Sequence, residues 1–130
     1  AALDRPPATP DGAGDPAVAP VPRSLFRAVA DEAGRRVEGL GAREVANIAW
    51  AFATVQVAMP DWLTETLPER GAELRPQECA NVLWALAVAS QPVERMAAAL
   101  PRGEEACFKD WKAQELANAA WALAQGIFGS

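Results

Sequence analysis

The stretch "ECANVLWALAVAS", residues 78–90, decides the fold of this chain. It places a tryptophan three residues after an asparagine in a run that is otherwise almost entirely apolar. The chain repeats this pattern as "EVANIAWAFATVQ" at 44–56 and as "ELANAAWALAQGI" at 115–127. Three copies of one apolar segment in 130 residues indicate a repeat architecture.

The spacing of the copies gives the period of the repeat. Successive asparagines lie 34 and then 37 residues apart, and the tryptophans keep the same spacing. The six positions are Asn47, Asn81, Asn118, Trp50, Trp84 and Trp121. Between the copies, "TLPERGAEL" at 66–74 matches "ALPRGEEAC" at 99–107. A period in the thirties built from pairs of short helices predicts an all-α fold, a short α-solenoid of about three helical hairpins.

The helix boundaries follow from the apolar periodicity. We predict a helical repeat domain over 23–130, in which Ser24 and Asp110 cap the first and last helices through their side-chain oxygens. The repeat helices are expected at about 43–56, 76–90 and 112–126, with partner helices at about 24–38, 61–73 and 93–107. In the first partner helix, an apolar stripe is formed by Leu25, Ala28, Val29 and Ala33.

Each repeat helix carries two apolar stripes, so we expect it to be buried on two sides and its tryptophan to lie in the core. The asparagine has two interpretations. In the first, its amide bonds a backbone carbonyl or the neighbouring repeat and fixes the stacking register. In the second, three amides line a groove and bind a ligand. The same residue in every copy favours the first interpretation. If the amides bound the bases of a nucleic acid, the residue at this position should vary from repeat to repeat, because each repeat would meet a different base.

The composition argues against most catalytic chemistry. The chain has no histidine and no tyrosine, which removes the commonest general base and the commonest metal ligand. The two cysteines, Cys79 and Cys107, are 28 residues apart, too few for a zinc site; Cys79 occupies an apolar repeat position and is interpreted as core. We therefore predict no enzyme activity, no catalytic residue, no cofactor and no metal.

The first 22 residues differ from the rest of the chain. Residues 1–22 hold six of the eleven prolines and almost no large apolar side chain, which predicts an extended Pro/Ala-rich arm. We expect this arm and the helical surface to contact other protein subunits. No apolar run approaches the roughly 18 residues of a membrane span, so none is predicted.

The motif Asn-x-x-Trp-Ala, in the context "(E)xANxxWAxA" after a "PQE"-like start, resembles the octotricopeptide repeat over residues 43–130. Related repeats occur beside RAP domains in organelle proteins of algae and protist parasites. The resemblance implies a right-handed superhelix of helical hairpins, an organellar location and binding to single-stranded RNA.

The acidic balance of the chain helps to choose between two functions, a protein scaffold and an RNA-binding factor. Residues 43–130 carry seven basic and eleven acidic side chains, and the whole chain has a net charge of −5. Because nucleic-acid binders are typically basic, we favour a non-enzymatic scaffold or adaptor of an organellar complex. A chloroplast photosynthetic supercomplex is favoured over an organellar ribosome, whose proteins should be basic. The alternative is an organelle RNA-binding factor for RNA maturation or translation, with candidate contacts at Arg43, Arg75, Lys109 and Lys112.

Overall fold

A computed structural model describes residues 20–100 and 108–128 of the chain. These ranges form six α-helices and no β-strand, which confirms the predicted all-α class. The helices are α1 (Arg23–Arg35), α2 (Ala42–Val55), α3 (Asp61–Glu69), α4 (Pro76–Val88), α5 (Glu94–Ala99) and α6 (Ala113–Phe128). Residues 1–19 of the predicted arm, and residues 101–107 of the predicted third partner helix, lie outside the described residues.

The repeat seen in the sequence is also a repeat of structure. A single 3-10 turn precedes each of α2, α4 and α6, and these turns are Val37–Gly39, Gly71–Glu73 and Phe108–Asp110. Their spacing of 34 and 37 residues equals that of the asparagines. One repeat is therefore a partner helix, a 3-10 turn and a repeat helix.

The three repeat helices begin with the same hydrogen bond. A glutamate in the first turn accepts a bond from the backbone N–H of the residue before the helix. These bonds join Gly41 to Glu44 at 2.8 Å, Arg75 to Glu78 at 2.9 Å and Lys112 to Glu115 at 2.7 Å. The carboxylate satisfies a free backbone donor and lies favourably at the positive end of the helix dipole.

The two caps predicted from serine and aspartate are wrong. α1 already begins at Arg23, so Ser24 lies inside the helix, and the residue before it is Pro22. Asp110 belongs to the 3-10 turn that precedes α6. In α6 the capping group is instead Glu115, the repeated "E" of the motif. α1 has no acidic residue in its first turn and no side-chain cap.

The C-termini of α2 and α4 are also equivalent. Gln56 and Ser90, 34 residues apart, both have φ of 58°, in the left-handed region. The following residue donates back to the helix, with Val57 N–H bonding the Phe52 carbonyl at 3.2 Å and Gln91 N–H bonding the Leu86 carbonyl at 2.8 Å. This is the Schellman arrangement, which ends a helix and turns the chain toward the next partner helix.

The repeat helices pack side by side in chain order. α4 packs against α2 on one side and α6 on the other, while α3 packs against α2 and α5. α1 joins α2 through Phe26 and Phe52, whose ring centroids are 4.8 Å apart in an edge-to-face arrangement. The largest fully buried side chains include Val45, Leu63, Leu67, Val82, Leu83 and Met96.

The predicted stripe of α1 does not face this core. Leu25 and Val29 are 55% and 63% exposed, and the buried residue of the helix is Ala30. Phe26 packs inward instead. The stripe lies outward because the described structure places no earlier repeat against α1.

A side chain also connects two repeats. Arg70, at the end of α3, donates to the backbone carbonyls of Leu40 and Val37, the latter at 3.0 Å. These carbonyls belong to the turn before α2. Arg70 therefore satisfies backbone acceptors of the preceding repeat.

The contact between α1 and α3 requires a glycine. A Cβ added at Gly34 would lie 2.6 Å from Nε1 of Trp62, whereas one added at Gly39 would meet nothing within 4 Å. We expect Gly34→Ala to lower the free energy of unfolding by about 1–3 kcal/mol, because the indole must move. Gly39→Ala is the control and should change it by less than about 0.5 kcal/mol. Urea titration followed by circular dichroism measures both, and equal values for the two variants would contradict the close packing.

Candidate interaction surface

The equivalent positions of the repeat helices define two faces. The leading face consists of the asparagine and the residues one and four positions after it. The trailing face consists of the residues two positions before, one position before and two positions after the asparagine. The leading faces are Asn47, Ile48, Ala51; Asn81, Val82, Ala85; and Asn118, Ala119, Ala122. The trailing faces are Val45, Ala46, Ala49; Cys79, Ala80, Leu83; and Leu116, Ala117, Ala120.

Burial shows which neighbour covers each face. The trailing face is fully buried in α2 and α4 but exposed in α6. The leading face is fully buried in α6 and nearly so in α4, but only partly covered in α2. The leading face therefore packs toward the preceding repeat, and the trailing face packs toward the next repeat in the chain.

The asparagines consequently occupy three environments. Asn47 is exposed, Asn81 is half-buried and Asn118 is 1% exposed. The Oδ1 atom of Asn118 accepts a hydrogen bond from Nε2 of Gln114, one turn earlier in α6, at 2.9 Å. The favoured interpretation gave all three asparagines one register-fixing role, through a bond to a backbone carbonyl or to the neighbouring repeat. The bond of Asn118 instead stays within α6, and Asn47 is exposed.

The tryptophans show a related gradient. Trp84 is 4% exposed, whereas Trp50 and Trp121 are half-buried against the core. In the described part of the structure, Nε1 of Trp50 is buried without a hydrogen-bond partner, as is Nε1 of Trp62 in α3. The middle repeat thus buries its indole most completely.

A groove lies at each junction between repeat helices. The first is lined by Ala53 near the end of α2 and Gln56 just after it, and by Val88 at the end of α4 and Ala89 just after it. The second is lined by Ala87, Ser90, Gln91 and Pro92 after α4, and by Gln125 and Gly126 of α6. Each encloses about 390 Å³.

The two grooves are copies of one another. Ala53 and Ala87 are equivalent repeat positions, as are Gln56 and Ser90. The C-termini of neighbouring repeat helices meet at the same edge, so the helices run parallel. The described lining residues are small, apolar or neutral polar apart from Glu94, which suits a peptide segment better than a phosphate backbone.

The candidate basic residues lie at the opposite edge. Arg43 is in the first turn of α2, Arg75 and Lys112 precede α4 and α6, and Lys109 lies in the last 3-10 turn. All four side chains are exposed, and none pairs with an acid in the described part of the chain. The edge also carries the three capping glutamates, so its charge is mixed.

The described side chains offer no metal site. No group of three or more histidine, cysteine, aspartate or glutamate side chains in residues 20–100 and 108–128 is arranged to hold a metal ion. Among the described helices, none is both long enough and apolar enough to cross a bilayer.

Cys79 lies in the trailing face of α4 and is 3% exposed, in agreement with the core interpretation. Burial, with a smaller contribution from Glu78, raises the pKa of its thiol to about 11. Because the thiolate is the nucleophile, we expect Cys79 in a Cys107→Ser variant to react with a disulfide reagent on the order of 100-fold more slowly than in urea. Equal rates in native buffer and urea would contradict this burial.

No protein-family model, curated protein or solved structure matches the chain.

Sequence reasoning missed the grooves and their left-handed residues. Gln56 and Ser90 are not the glycines that usually mark such C-termini, so residue type gave no signal. Their spacing of 34 residues was the available signal, since it equals the asparagine spacing.

Proposed function

We propose that this protein is a non-enzymatic α-solenoid scaffold, a small structural subunit that binds other proteins in a larger organellar complex. The solenoid proposal is supported by the stacking of α2, α4 and α6 in chain order. Support also comes from the equivalent turns and C-termini of the repeats. The right-handed superhelix is proposed on the octotricopeptide resemblance alone.

The main support for the scaffold function is the repeated groove. Two equivalent concave sites occur at successive repeat junctions, and their described linings are mostly small and uncharged. Such sites accept a side chain or an extended segment of a partner, and their repetition gives an extended binding surface. The net charge of −5 also favours a protein partner over RNA.

The proposed location rests on the family resemblance and the charge. Octotricopeptide-like repeats imply an organelle, and an acidic chain fits a chloroplast photosynthetic supercomplex better than a ribosome. The arm at 1–22 is proposed as a second contact with the partner.

Copurification with a groove variant tests the scaffold proposal. The tagged intact chain should recover a fixed set of protein subunits from its own cells. Ala58→Arg, at an exposed position beside the first groove, should lose these subunits while its circular dichroism is unchanged. Arg43→Glu, at the opposite edge, is the control and should retain them. Equal recovery by both variants, or no recovered subunit, would contradict the groove as the binding site.

One observation favours the second candidate, an organelle RNA-binding factor. The side chains of Arg43, Arg75, Lys109 and Lys112 are exposed at one edge and carry no ion pair with a described residue. Filter binding to single-stranded RNA separates the two functions. Real phosphate contacts predict an affinity that falls steeply with salt. The scaffold proposal predicts no measurable binding at low salt.

A further inference from the structure

The two ends of the repeat stack expose the positions that its interior buries. At the trailing end, Leu116 of α6 is 44% exposed, while the equivalent Val45 and Cys79 are buried. Ala117 and Ala120 are exposed beside it. This end therefore presents the surface that α2 and α4 each use to pack against the following repeat.

The leading end shows the complementary pattern. Val29 of α1 is 63% exposed, while Leu63 and Met96, which occupy the corresponding places in α3 and α5, are 0% and 1% exposed. On α2, Asn47 is exposed although the equivalent Asn118 is buried. This end presents the surface that α4 and α6 use to pack against the preceding repeat.

The two ends are thus the two halves of an interface that the chain already forms internally. Repeat proteins normally need polar terminal repeats, because an apolar end accepts another repeat. A second copy of this chain carries the matching half at its other end. Charge does not oppose the contact at the trailing face of α6 and the leading face of α2, which consist of apolar, alanine and asparagine side chains. On α1, Glu32 lies one turn after Val29 and is paired with Arg35 and Arg36.

We propose that this protein associates head-to-tail with a second copy, with the trailing face of α6 in one copy packed against α1 and the leading face of α2 in the next. The contact continues the α4–α6 interface across two molecules. It is heterologous, so each copy keeps one free end and longer chains form as concentration rises. The inference rests on repeat equivalence and is independent of the proposed groove function.

Sedimentation equilibrium of the intact chain over concentrations up to about 1 mM tests this. The weight-average mass should rise continuously beyond that of a dimer. Leu116→Arg and Val29→Arg each block one end at an exposed position, so each variant should fold normally by circular dichroism and remain monomeric. An equimolar mixture of the two should form a dimer and no larger species, because one intact junction remains.

The mixture distinguishes this arrangement from a symmetric dimer. A wild-type protein that is monomeric at the highest concentration overturns the proposal. A mass that stops at a dimer, with a mixture of variants that stays monomeric, overturns the head-to-tail geometry.

Discussion

Trp84→Ala is expected to lower the free energy of unfolding by about 3–5 kcal/mol, a large part of the total stability of a small domain. The indole lies in the middle repeat and is 4% exposed. Because the ring belongs to the buried core cluster, its removal leaves a cavity in the middle repeat. Urea titration followed by circular dichroism measures the loss.

The other two repeats supply matched controls for Trp84→Ala. Trp50 and Trp121 occupy the same repeat position but are half-buried. Trp50→Ala and Trp121→Ala should each lower the free energy of unfolding by roughly 1–2 kcal/mol, because less apolar surface is removed from contact. Equal losses of unfolding free energy for all three variants would contradict the deeper burial of Trp84.

Ala85→Glu is expected to abolish the cooperative native state. Ala85 is 0% exposed in the leading face of α4, where it packs toward α2. A carboxylate there would lose its hydration without a partner, and the penalty for such a charge is several kcal/mol. We expect a strong loss of thermal unfolding cooperativity, and the same result for Ala122→Glu in α6.

Ala51→Glu is the control for that substitution. It changes the same repeat position in α2, where the side chain is only partly covered. The variant should fold with a melting temperature close to that of the wild type, since glutamate is a good helix former and can reach water. Unfolding of Ala51→Glu would contradict the lower burial of this position in α2.

The sequence predicted the repeat helices closely because their signal is periodic. The expected ranges 43–56, 76–90 and 112–126 agree with α2, α4 and α6 to within two residues at each end. The asparagine and tryptophan identify the same two helix positions in each copy. The three copies can therefore be aligned residue by residue. The partner helix α3 ends at Glu69, four residues before the end of the expected range 61–73, and Pro68 lies one residue before this end.

The environment of each copy could not be predicted, because it depends on neighbours rather than on the local sequence. Asn47 and Asn118 have the same motif around them, yet one is exposed and the other buried. The difference arises from position in the stack. Likewise, the apolar pattern at Leu25 and Val29 predicts a helix stripe but does not say that it lies on an outer end.

Hydrogen exchange of the native protein tests the stacking of the three repeats most directly. Amides protected by packing on both sides should open only on global unfolding, whereas those at an end should open locally. We predict that the amides of α4 exchange most slowly, at a rate set by global unfolding, and that those of α1 and α6 exchange faster. Amides of α4 that exchange as fast as those of α1 and α6 would contradict a single stack with α4 at its centre.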